Sequence, residues 1–147
     1  MKIISLIFSL LFCMACYHQP EKIISIDYTA VDSNIELTME LTIKADSILF
    51  TSINHLGTRN EFCDTTSSEL WKSLMGKYDS HTFQRIKNGE PASTYAPDRT
   101  FHIKTDLKEY SFTNGEADEA YKQLGNFFTI IRDLSIKCYE RSVPINM

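Results

Sequence analysis

The sequence predicts an α+β fold: an antiparallel sheet of about six or seven short strands with two helices packed on one face, the longer one C-terminal. Three observations predict it. Residues 35–46 alternate without a break, Ile35, Leu37, Met39, Leu41 and Ile43 against Glu36, Thr38, Glu40, Thr42 and Lys44. Such alternation places one strand face on a core and the other in water, as in antiparallel sheets. Residues 66–76 and then 116–134 carry apolar side chains at helical spacing. Strand signals come before and between these two segments rather than alternating regularly with them, which separates α+β from α/β.

Taken in order, residues 22–31 read as a strand with Ile24, Ile26, Tyr28 and Ala30 on one face, and Asp32, Ser33 and Asn34 form a turn cluster. The 35–46 strand follows. Its register is well specified, because a slip of one residue would expose five apolar side chains. A third strand is expected over 47–54 and a short fourth over 59–63, with Gly57 in the turn between them. Thr66 with Glu69 three residues on matches a capping box, followed by the stripe Leu70, Trp71, Leu74 and Met75 and a stop at Gly76. His81 to Ile86 reads as a short strand, Asn88-Gly89 as a turn, and the stretch to Arg99, with Pro91 and Pro97, as an ordered loop. Phe101, Ile103 and Thr105 then pair with Tyr110 and Phe112 in a hairpin that turns at 106–108. In the last helix Ala117, Ala120, Tyr121, Leu124, Phe128 and Ile131 form a stripe that Phe127, Ile130 and Leu134 widen. Glu116, Asp118 and Glu119 stand in its first turn, where the helix dipole favours acids. Gly125 within that helix suggests close approach to the sheet, and residues from Ser135 onward read as a tail.

The first residues carry a different signal. Lys2 is the only charge among the first sixteen, and Ile3 to Phe12 is apolar apart from Ser5 and Ser9. A positive start, a short apolar core and a small residue at the cut site make a secretory signal peptide. The run is too short to span a bilayer, which takes about 20 apolar residues. Within LLFCMAC, small Ala15 is followed directly by Cys16. This arrangement resembles the lipobox of bacterial lipoproteins, in which the cysteine thiol is acylated and the chain is cut just before it. Cys13 stands where the commonest pattern has Leu. The resemblance implies lipidation at Cys16, a membrane partner through the N-terminal lipid, and a place in the bacterial cell envelope, at the outer membrane or facing the periplasm. Ordinary cleavage after Ala15 would instead leave a secreted domain. The expected organisation is a signal peptide over 1–15, a lipidated cysteine and tether over 16–21, one globular domain over 22–141 and a tail over 142–147.

Composition narrows function by exclusion. A 147-residue chain with net charge −4 and no basic run argues against nucleic acid. Of four cysteines, Cys63 and Cys138 remain once Cys13 is removed and Cys16 is modified. In an exported domain they either form one disulfide or remain buried thiols. No glycine-rich phosphate loop, GxSxG elbow, SxxK or DxDxDG motif occurs. His55, His81 and His102 are too scattered for a zinc motif, so no metal or cofactor is expected. Glu36 and Glu40, four apart on a strand, stand about 13 Å from each other, wide for a glycosidase pair. One stretch suggests a binding loop: Tyr95, Asp98 and Arg99, bounded by Pro91 and Pro97.

Without a catalytic constellation, the expected function is protein binding from a lipid-anchored envelope position, an immunity-type inhibitor being one concrete form. The likeness to such inhibitors is one of size and layout only. The rivals are a hydrolase built from dispersed residues, His81 or His102 with Asp98, and a structural envelope protein with no discrete site.

Overall fold

The computed structural model describes residues 21–93 and 96–143. Its central strand, β1 (Ile23–Asp32), is antiparallel both to β2 (Leu37–Ile43) on one side and to β5 (Asp98–Thr105) on the other. β3 (Ile48–Ile53) and β4 (Arg59–Asp64) continue the sheet beyond β2, and β6 (Glu109–Thr113) continues it beyond β5. The order is therefore β4-β3-β2-β1-β5-β6. The first four strands form a meander in chain order. The segment holding α1 (Ser68–Met75) and α2 (Ser80–Phe83) then carries the chain back beside β1. After β6 come a 3-10 turn (Gly115–Ala117), α3 (Glu119–Gln123) and α4 (Gly125–Ser142).

The helices bury one face of the sheet. From that face β1 contributes Ile26, Tyr28 and Ala30, β2 Leu41 and Ile43, β3 Ile48 and Phe50, β5 Phe101 and Ile103, and β6 Phe112. Facing them are Leu74, Phe83, Tyr121, Phe127, Phe128 and Ile131. Aromatic rings dominate the centre. Phe128 stacks on Tyr121 at 4.1 Å between centroids and lies 4.7 Å from Phe101. From there α4 runs over β2, β3 and β4. At its far end Arg141 reaches Asp64 at 3.6 Å and lies over the Phe62 ring.

Several local expectations are corrected. A bulge between Ile23 and Ser25 turns Ile23 into the core and leaves Ile24 exposed. β2 starts only at Leu37, because Glu36 takes a positive φ of 48° in the preceding turn, and Ile35 is exposed there. Ser67, not Thr66, caps α1 by accepting the Leu70 N–H, while the Thr66 hydroxyl donates to the Lys44 carbonyl across to the sheet. The expected strand at 81–86 is instead the helical turn α2. There Asp79 accepts the His81 and Thr82 N–H groups, a capping arrangement that outweighs strand propensity. The long C-terminal helix is broken into three pieces. α4 starts at Gly125 and continues to Ser142, so the residues from Ser135 expected as tail are helical, and Ser135 and Cys138 among them are buried. A Cβ at Gly125 would meet nothing within 4 Å, so this glycine marks the break between α3 and α4 rather than a close approach.

Candidate functional site

The helices cover one face of the sheet, and among the described residues nothing packs over the other. Its centre is rich in threonine: Thr29, Thr38, Thr42, Thr51, Thr100 and Thr113 stand on the strand positions opposite to the core side chains. Thr100 and Thr113 share a hydrogen bond between their hydroxyls at 2.9 Å. Around them the carboxylates Asp27, Glu40, Glu61, Asp98 and Glu109 occupy the same face, against the strand cations Arg59 and Lys104. The face is therefore acidic in balance. Arg59 pairs with Glu61 at 2.6 Å and Lys104 with Glu109 at 3.3 Å. Asp27 and Glu40 pair with neither of these strand cations.

The densest polar group on this face surrounds His102. Cross-strand register sets Asp27 on one side of it and Ser111 on the other. His102 Nδ1 lies 3.9 Å from the Asp27 carboxylate and Nε2 lies 3.4 Å from Glu109. Asp27 is oriented by the Thr42 hydroxyl, which donates to it at 2.6 Å, and by Ser25 at 3.4 Å. The imidazole thus has a carboxylate on each side. It stands on a half-exposed sheet surface, where water competes with both interactions.

The residues singled out from the sequence lie elsewhere or serve other ends. Asp98 shares the open face with His102 but is four residues along the strand, about 13 Å away. Its carboxylate accepts the Ala92 N–H and the Asn114 side-chain amide, contacts that hold it ionised below the usual carboxylate range. Arg99 is on the core side and pairs with Glu116 at 3.1 Å. Asp98 therefore ties Ala92 to Asn114, and Arg99 ties β5 to the 3-10 turn after β6. Tyr95 lies outside the described residues, as do Cys16, residues 1–15, expected as a signal peptide, and residues 144–147. His81 is exposed on α2, away from this group. Of the two alternatives left open for Cys63 and Cys138, the structure has free thiols rather than a bridge, with Cys138 buried and Cys63 exposed. Cys63 pairs in register with Leu49 on the open face, while Cys138 is buried under α4, so the sheet stands between them. Among the described residues no group of three or more His, Cys, Asp or Glu side chains is arranged to hold a metal ion.

A separate cleft of about 550 Å³ opens at the end of the sheet where β1 begins, on the helix side. Trp71, Met75 and Tyr78 wall it together with Ile23 and Ala45, and Glu21, Lys22, Asp79 and Ser80 form its rim. The Tyr110 hydroxyl donates to Glu21 at 2.6–2.7 Å. Burial and this carboxylate push the Tyr110 phenol up to about 12. The Tyr78 hydroxyl is buried and has no hydrogen-bond partner among the described residues.

Sequence reasoning missed Asp27 and Glu109 as neighbours of His102, and it missed the cleft. The hairpin that joins β5 to β6 was legible, and it puts Glu109 near His102. The Asp27 contact depends on β1 pairing with a strand some seventy residues later, for which no local signal exists. No known protein family matches the chain, and no curated protein is recognisably similar to it. No helix among the described residues is long and apolar enough to cross a membrane.

Proposed function

We propose that this chain is a lipid-anchored protein of the bacterial cell envelope whose domain binds another protein through the open face of its sheet. An immunity-type inhibitor is the concrete form that this reading takes. The observation that carries it is the uncovered, acidic, threonine-rich face. Five strand carboxylates against two strand cations favour a partner with a basic surface, and short threonine hydroxyls allow close approach at low side-chain entropy cost. The lipobox-like Cys16 supports the anchor. The test is a pull-down of the C-terminally tagged full chain from detergent-extracted native membranes, in parallel with Glu40→Lys and, on the helix side, Lys137→Glu. The expected result is one stoichiometric protein partner, retained by Lys137→Glu, lost with Glu40→Lys and weakened by salt, with the bait acylated at Cys16. Equal recovery by both variants would remove the open face from the reading. An unmodified mature terminus would remove the anchor.

A second reading has one observation behind it. Asp27, His102 and Ser111 stand in one cross-strand row, as a hydrolase with dispersed residues would require. Against it, the row lies on an open surface and the cleft is lined by other residues. Turnover of chromogenic esters abolished by His102→Ala would favour it over binding.

A further inference from the structure

The cleft at the start of β1 is independent of the open face and has a chemistry of its own. Its walls are apolar and aromatic, with Trp71, Met75 and Tyr78 on the helix side and Ile23 on the sheet. Its volume, about 550 Å³, falls within the range of small-ligand sites. The rim has two carboxylates, Glu21 and Asp79, against one cation, Lys22. Both carboxylates are held in place. Glu21 accepts the Tyr110 hydroxyl with both of its oxygens. Asp79 accepts the backbone N–H groups of His81 and Thr82 and the Thr82 hydroxyl. An apolar wall with an indole, under a rim with an excess of fixed negative charge, is suited to a cation on a hydrocarbon stem. The stem displaces water from Trp71 and Met75, and the charge lies near aromatic faces and carboxylates, both of which attract it.

We infer that this cleft binds a primary ammonium group carried on an apolar stem, Trp71, Met75 and Ile23 taking the stem while Glu21 and Asp79 take the charge. The same chemistry is offered by a free alkylamine and by a lysine side chain of another protein, and the two are told apart by the probe. The anionic rim disfavours a carboxylate on the same stem, and a neutral alcohol gains only the apolar part.

Trp71 is the chain's one tryptophan, so its fluorescence reports directly on the cleft. The experiment titrates the full chain with hexylammonium, hexanol and hexanoate, and with a blocked tripeptide that has lysine at its centre. Saturable change with hexylammonium, at least about threefold tighter than with hexanol or hexanoate, is the expected result, given the usual strength of cation–π and exposed ion contacts. Glu21→Gln is expected to weaken hexylammonium and leave hexanol unchanged, with an unaltered thermal midpoint showing that the fold is intact. Asp79→Asn, which keeps a capping oxygen for α2, is expected to do the same. Binding of the tripeptide comparable to hexylammonium assigns the cleft to a protein lysine, and binding of hexylammonium alone assigns it to a free amine. Equal binding of alcohol and amine, tighter binding of hexanoate, or no saturable response to any probe would overturn the inference.

Discussion

Asn114 and Gly115 show how much of this fold depends on single residues. Asn114 sits in the left-handed region, at φ 53°, where asparagine is tolerated better than most residues. Its side-chain oxygen accepts the Arg99 N–H, and its amide donates to the Glu90 carbonyl and to Asp98, so one side chain fastens the stretch around Glu90 to the end of the sheet. Gly89 passes so close that a Cβ there would lie 1.9 Å from the Asn114 carbonyl oxygen. A Cβ on Gly115 would come within 2.8 Å of both Ile86 and Phe112 in the core. Gly115→Ala should therefore cost about 1–3 kcal/mol through overpacking. Asn114→Ala should cost about 2 kcal/mol through lost hydrogen bonds and backbone strain, and Asn114→Gly less, because it keeps the conformation. Denaturant midpoints of the three variants are the check. A Gly115→Ala protein as stable as the parent would mean that Phe112 and Ile86 have room to move.

At the scale of the element, strand alternation decides the state of the cysteines. β4 directs Phe62 toward α4 and Cys63 to the opposite face, and this phase is fixed by the pairing of Phe62 with Phe50. Cys138 lies on the buried stripe of α4, where desolvation raises the thiol pKa and lowers its reactivity. Iodoacetamide should modify Cys63 in the folded protein and Cys138 only once denaturant is added, the two being distinguished by peptide mass mapping. Thermal stability should be indifferent to reductant. A large drop in midpoint on reduction would mean that the two thiols are joined and β4 is out of phase. The helices illustrate the same scale from the other side. The stripe from Ala120 to Ile131 was legible in the sequence because burial requires helical spacing. The breaks at Asp118 and Leu124 were not, because the apolar period passes across them. The first follows from the Asp118 side chain, which accepts the Ala120 N–H and caps α3; at the second, Leu124 leaves the helical region and α4 begins at Gly125, a residue that weakens a continuous helix.

Over the whole molecule, the aromatic core makes stability sensitive to alkali. Among the described residues Tyr28, Tyr78, Tyr110 and Tyr121 have raised phenol pKa values, burial being the first cause in each. Tyr110 and Tyr121 are pushed up to about 12 from an ordinary 10.0. A group whose pKa is higher in the folded state contributes stability that is fully present below the unfolded value. That contribution is lost as pH rises from about 10 through the folded values. Phenolate absorbance should show those four tyrosines resisting ionisation at pH 10 to 11 and then titrating together with the loss of the far-ultraviolet dichroism signal. Ionisation of these four tyrosines near pH 10 with native dichroism retained would contradict the packing around Phe128 and Tyr121.

The sequence by itself determined the fold class, the sheet-facing residues of β2, β5 and β6, the helix that follows Ser67 and most of the C-terminal stripe. Each rests on a period of two or of about 3.6 residues, and such periods are local. Only the tertiary structure decided that β1 is central and that Asp27 stands beside His102. It also decided that the sheet separates Cys63 from Cys138, that one sheet face is left bare by the described residues, and that Trp71 and Glu21 meet across a cleft. These depend on which distant strands pair and on where the helices come to lie. The energy that settles them is spread over the whole core, and no short stretch of the chain carries it.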